Sequence, residues 1–333
     1  MKHKKAKSQE KIFCQVLLVL LCLTCFLVSN GQAETYQFVL KWGSQGSGNG
    51  QFGILRGVAV DTSGNVYATN SNQIKKFDSQ GTFISKWGSA GIGNGQFSYP
   101  MGIAVNTSGN IYVADSQNHR VQKLDSSGNY ITQWGSLGTG NGQFNRTYGV
   151  AIDTSGNVYV ADSNNHRIQK FDSDGNYITQ WGSSGSGNGQ FFQPWGMAVD
   201  TSGNVYVNDS GNLRIQKFDS NGNYITKWGS YGSGNGQFNL SRGVAVDISG
   251  NVYVVDIDNY RVQKFDSNGN YITQWGSIGT DDGEFYFQTD GWVAVDTSGN
   301  VYVSDVGNYR IQKFALALTP TTPRIFLPLI LKP

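Results

Sequence analysis

Cysteine is missing from all but the start of this 333-residue chain, where Cys14, Cys22 and Cys25 lie within the first 33 residues. If that segment is removed on export, disulfides, thiol nucleophiles and thiolate metal sites are excluded together. Proline is almost as scarce: there are six, four of them in the last 19 residues. Charge is thin, at 14% of residues, and Glu34 and Glu284 are the only glutamates after residue 33. That leaves few paired carboxylates for acid–base catalysis. The net charge of +2 comes from the first 33 residues, which hold five lysines and one glutamate. The remainder carries 20 basic against 22 acidic residues. So balanced a chain lacks the electrostatic footprint of a nucleic-acid binder, and nucleic acid is not an expected partner.

What the chain has instead is glycine, 44 residues, roughly twice the usual share of about 7%, and 13% aromatics. Glycine used as punctuation between aromatic and β-branched runs predicts an all-β fold.

Residues 1–33 read as a signal peptide: a basic start through Lys11, an apolar run from Val16 to Val28, and the small-residue stretch Gly31-Gln32-Ala33. Cleavage after Ala33 would make the protein secreted or displayed at the cell surface, with no membrane span left. An uncleaved anchor is the competing reading, because the apolar stretch is long for a signal. Residues 315–333, ALALTPTTPRIFLPLILKP, form a Pro-containing apolar C-terminal tail too short to span a bilayer.

Between these segments the sequence repeats. Trp87, Trp134, Trp181, Trp228 and Trp275 recur every 47 residues, each in Trp-Gly-Ser, and Trp42 precedes them by 45. One unit contains four short β-type runs, Val150 to Asp153, Val158 to Asp162, Ile168 to Asp172 and Tyr177 to Trp181, separated by Gly- and Asn-bearing turns. The first three runs occur six times. The fourth is missing after Phe314, and its sixth copy stands at the other end of the chain, Tyr36 to Ser44. The missing strand and the extra strand fit each other. Residues 34–314 are therefore expected to form a six-bladed β-propeller of four-stranded antiparallel blades, the last blade closed by the N-terminal strand, which leaves no open edge.

The string Asp-x-x-Asn-x-Arg-[Val/Ile]-Gln-Lys-Phe, at Asp115 to Leu124 with Leu last, Asp162 to Phe171, Asp209 to Phe218, Asp256 to Phe265 and Asp305 to Phe314, resembles the NHL repeat, as does Gly-Asn-Gly-Gln-Phe. The resemblance implies a propeller whose first strand in each unit lines a central channel. It implies little about activity, because relatives include RNA-binding, sensor and peptide-amidating lyase domains. The first unit departs from the pattern, lacking the Arg at Asn70-Ser71-Asn72-Gln73-Ile74. The last departs at Asp281-Asp282-Gly283-Glu284 and places Trp292 where the others have Gly.

The repeated polar residues read as structure. Asp61, Asp153, Asp200, Asp247 and Asp296 end first strands and can bond the following Ser-Gly turn, and the Asp and Arg of Asp162-x4-Arg167 can pair across one hairpin. His119 and His166 sit where other units carry Leu213, Tyr260 and Tyr309, which marks packing positions. The resembled lyase uses three histidines for zinc, a set the mature chain cannot supply. No catalytic residue, metal site or cofactor is expected.

The informative positions are those where the units differ. The residue just before each first strand rings the channel mouth: Arg56, Met101, Tyr148, Trp195 and Arg242, with Asp290 and Trp292 in the irregular sixth unit. Arg and aromatic side chains carry much of the energy at interfaces and stack on sugars. The leading expectation is a secreted, monomeric, non-enzymatic recognition or scaffold propeller that binds a protein, peptide or glycan at this mouth. The alternatives are a hydrolase or lyase with its site there, and a plain plug of the channel end.

Overall fold

Alternation organises the outer strands. In Tyr177–Trp181, Tyr, Thr and Trp face inward and Ile and Gln face water, and burial follows with period two. The two middle strands, Val158–Asp162 and Arg167–Phe171, are buried at every position, as strands pressed between two neighbouring sheets must be. Asp153 closes the inner hairpin, its Oδ1 accepting the N–H groups of Ser155 and Asn157. His166, at φ 55°, ends the 3₁₀ turn Ser163–Asn165.

In the computed structural model, which describes residues 34–317, these strands assemble into six four-stranded antiparallel sheets. The expected signal segment and residues 318–333 of the tail lie outside the described residues. Numbering blades from the first inner strand, blade 1 spans Leu55 to Trp87, blade 2 Pro100 to Trp134, blade 3 Thr147 to Trp181, blade 4 Pro194 to Trp228 and blade 5 Ser241 to Trp275. Blade 6 consists of Val293–Val295, Val301–Asp305, Arg310–Leu316 and, as its outer strand, Tyr36–Trp42. Inner strands contact their neighbours all the way round, blade 6 meeting blade 1. The ring is closed as the matching missing and extra strands imply. Its last strand runs on to Leu316, which pairs with Tyr36, two residues beyond the end of the repeat.

Two devices join successive blades wherever the next blade has an outer turn, which all but blade 6 have. The outer-strand Trp lies against the glycine of the next blade's outer turn. A Cβ on Gly175, at φ +90°, would fall 2.6 Å from the Trp134 ring. The third-strand Lys reaches the same turn, as when Lys123 Nζ donates to the Ser173 carbonyl at 2.8 Å.

A third device holds the Gly-rich crossing. Arg167 donates through Nε to Asp162 at 2.7 Å, and through its other nitrogens to the carbonyls of Thr139, Gly140 and Gln143 and to Gln180 Oε1. The expected hairpin pair is present in blades 2 to 6. Blade 1 solves the problem differently, with Lys75 Nζ donating to the carbonyls of Gly48 and Gln51. Inner strands line an apolar channel of about 180 Å³, walled by residues such as Val58, Ile103, Val150, Met197, Val244 and Val293.

Candidate functional site

The mouth residues stand at the start of each inner strand, and the backbone there is fixed by a close approach between blades. Gly57, Gly102, Gly149 and Gly196 each face the carbonyl of the next blade's mouth residue, respectively Met101, Tyr148, Trp195 and Arg242. There is no room for a Cβ. Side chains one blade away complete the support. Thr69 Oγ1 donates to the Met101 carbonyl at 2.8 Å, and Asn208 Nδ2 to that of Arg242 at 2.9 Å. In blade 6, Trp292 takes the glycine position and Gly243 N–H donates to Gly291 O at 3.1 Å.

The six blades bring the seven residues together in two layers. Arg56, Met101, Asp290 and Trp292 are buried, with Met101 fully enclosed and Arg56 only 2% exposed. Above them Tyr148, Trp195 and Arg242 are mostly buried and keep only part of their surface exposed. The Arg242 guanidinium lies 3.5 Å from the Trp195 ring centre, and the Tyr148 ring centre lies 3.8 Å from that of Trp195 with the planes inclined by 37°, so the three form one tilted stack. Arg56 lies 3.6 Å over Tyr99, a residue the repeat comparison did not single out. The sequence places each side chain at the mouth but not at a depth: whether six converging side chains interpenetrate depends on their sizes and on the irregular insert of blade 6.

The charges sit deep. Asp290 Oδ2 is 4.0 Å from Arg56 Nε. Burial pushes the Asp290 carboxyl above its ordinary range, against the pull of Arg242 and Arg56. Burial likewise lowers the Arg242 pKa, and Asp290 counters it. Arg242 Nη1 donates to Ser210 Oγ at 3.0 Å, whereas Arg56 Nε, Arg242 Nε and the Trp195 and Trp292 indole N–H groups have no hydrogen-bond partner. Unsatisfied buried donors of this kind cost stability unless a ligand or water takes them.

The histidines are structural. His119 and His166 adopt left-handed backbone, and their Nδ1 atoms accept the N–H groups of Arg146 and Gln193 at 3.0 and 3.1 Å. Burial lowers the His119 pKa. Among the described residues no group of three or more His, Cys, Asp or Glu is arranged to hold a metal, and no helix is long and apolar enough to cross a membrane.

Residues 97–124, 148–171, 191–218 and 293–314 match the NHL repeat. No curated protein matches the chain. Among solved structures, a catalytically inactive virginiamycin B lyase from Staphylococcus aureus with quinupristin is 12% identical, with a TM-score of 0.56 over 85% of this chain and 100% of that one. A gluconolactonase from Xanthomonas campestris is 13% identical, with a TM-score of 0.59 over 86% and 99%. An auxiliary nutrient binding protein from Bacteroides thetaiotaomicron is 15% identical, with a TM-score of 0.62 over 85% and 77%. At such identities these are likenesses of fold. With four matched stretches in a closed ring of six four-stranded blades, the chain is a six-bladed β-propeller that carries NHL repeats.

Proposed function

We propose that the protein is an exported recognition module that binds a protein, peptide or glycan on the mouth face. The observation that carries this reading is the Tyr148–Trp195–Arg242 stack, partly exposed on a base of buried side chains. A stack held by its neighbours loses little rotamer freedom on binding, and its aromatic and guanidinium faces suit peptide planes and sugar rings alike. Arg56, Met101, Asp290 and Trp292 support that platform from below. The nutrient-binding relative in fold is consistent with such a role.

One observation favours a second reading, a hydrolase or lyase with its site in the mouth. Asp290 is a buried carboxyl with a raised pKa between two arginines, the sort of group that holds a proton for catalysis. The lyase and gluconolactonase likenesses point the same way.

Glycan and peptide arrays probed with the protein and with its Trp195→Ala and Tyr148→Ala variants test the first reading. Array ligands should weaken by about 30-fold to 1,000-fold in the variants, while Ile131→Thr, on an exposed outer strand, changes nothing. Binding that survives both truncations, or truncations that mainly lower the melting temperature, would defeat it in favour of a plug. Turnover of gluconolactone or quinupristin that Asp290→Asn abolishes would establish the second reading instead.

A further inference from the structure

The geometry points to a second binding site, on the face opposite the mouth, for a neutral polyhydroxylated ligand of monosaccharide size in the crevice between blades 2 and 3. Crevices open between successive inner-hairpin turns. They measure about 220 Å³ between blades 6 and 1, 270 Å³ between blades 1 and 2, and 450 Å³ between blades 2 and 3. The last falls within the range of small-molecule sites, about 300 to 1,000 Å³.

Its chemistry also differs from the rest of the ring. In five blades the turn aspartate accepts the hydroxyl of the second-strand tyrosine at 2.9 to 3.1 Å, as Asp153 does for Tyr159. Blade 2 has Asn106 in that place. Its Oδ1 still accepts the N–H groups of Ser108 and Asn110, at 3.1 and 2.9 Å. The amide nitrogen then stands where the second carboxylate oxygen would have been, and it cannot accept. Tyr112, fully buried and lining this crevice, is left with a hydroxyl that has no acceptor, since the Lys123 ammonium on that side can only donate. Elsewhere the fold supplies the acceptor; here the place is left for a water or a ligand hydroxyl.

The charges around the crevice are already engaged. Lys123 donates to the Ser173 carbonyl and lies 3.6 Å from Asp174, while Asp153 accepts from the Ser155 and Asn157 N–H groups, Asn157 Nδ2 and Tyr159. What remains on the walls is the Tyr112 hydroxyl, the Asn106 amide and the hydroxyls of Thr107, Ser108, Thr154 and Ser155. Mixed neutral donors and acceptors match sugar hydroxyls, which both give and take hydrogen bonds.

Saturation-transfer NMR with glucose, galactose, mannose and N-acetylglucosamine at millimolar concentration, followed by calorimetry, tests the site. At least one sugar should bind, with an affinity unchanged between low and high salt and unchanged in Trp195→Ala, which separates this site from the mouth. Tyr112→Phe should weaken it about three- to tenfold, the worth of one neutral hydrogen bond. Asn106→Asp, which restores the residue of the other five blades and so keeps the fold, should weaken it at least as much. The proposal is overturned if no sugar binds, if Asn106→Asp binds as well as the parent, or if inorganic phosphate competes the sugar away.

Discussion

Blade 3 and blade 6 have the same four-stranded sheet and reach it by different means. In blade 3 tight turns join every strand to the next, and the outer turn presents Gly175 to the Trp134 ring. Blade 6 has no outer turn, since its outer strand comes from the other end of the chain. There Tyr36 stands where the turn would be and stacks on Trp275 at 4.3 Å, its hydroxyl 2.8 Å from that of Tyr253. Lys264 lies 5.6 Å over the Tyr36 ring. The closing strands are seven residues long rather than five, and Ala317 N–H donating to Thr35 O extends them further. Where connectivity is lost, a longer ladder and an aromatic stack replace it.

The largest effect should come from breaking blade 6 outright. Deleting residues 34–44 removes the strand paired with Arg310–Leu316 and leaves that strand as an uncovered edge. The expected outcome is loss of the folded monomer, read as aggregation in size-exclusion chromatography and a collapsed melting transition. A deletion variant as stable and monomeric as the parent would show that the closing strand is dispensable.

Next comes the arginine that both blades use. Arg167→Ala in blade 3 leaves Asp162 buried without its cation and frees three loop carbonyls, a loss of about 3 to 5 kcal/mol in chemical denaturation. Arg310→Ala in blade 6 should cost as much, because Arg310 makes the equivalent bonds to Asp305, Thr280, Asp281 and Glu284. A much smaller loss in blade 6 would mean that its irregular crossing is held by other contacts.

Tyr36→Ala removes the substitute for the turn. Tyr36 is half-buried, so the cost should fall near ~2 kcal/mol, below the range for a fully enclosed ring, and urea unfolding would measure it.

The smallest effect belongs to blade 1, which follows the closure, has Gln73 in the arginine's place and holds its crossing with Lys75, two residues on. Burial, and then the charge of Lys86, hold the Lys75 ammonium below its ordinary pKa of 10.5. The unfolded chain therefore binds this proton more tightly, and folding gains stability as pH rises toward 10.5. Lys75→Met should remove that alkaline gain, so that the melting temperature of the variant rises less than the parent's between pH 8 and 10. An identical pH profile in parent and variant would refute the assignment.

Much of this was legible because the sequence states it several times over. The strand count, the N-terminal closing strand, the Asp153 turn and the Asp162–Arg167 pair all follow from residues that recur at fixed spacing. The burial of Arg56 and Asp290 was not, since a position in the repeat gives a side chain's direction but not what five other blades place in front of it. Arg56 is covered by Tyr99 of the next blade, 43 residues away in sequence. Asn106 was visible as an interruption in the aspartate series, yet its meaning required seeing that a buried tyrosine hydroxyl depends on that carboxylate. Ala315 and Leu316 looked like the start of a tail because nothing in the repeat continues past Phe314; only the ladder to Tyr36 makes them strand.

The glycines that face the mouth carbonyls have a consequence for how such a surface could diversify. Adjacent blades meet at that radius through main-chain atoms, at Gly57, Gly102, Gly149 and Gly196. The identity of the mouth side chain is therefore largely uncoupled from the joint that keeps the wheel round. The four positions so joined, Met101, Tyr148, Trp195 and Arg242, can change side chain without touching that joint, as letters in a fixed frame, and a gene built by duplicating one unit would inherit varied ligand contacts without rebuilding its axle.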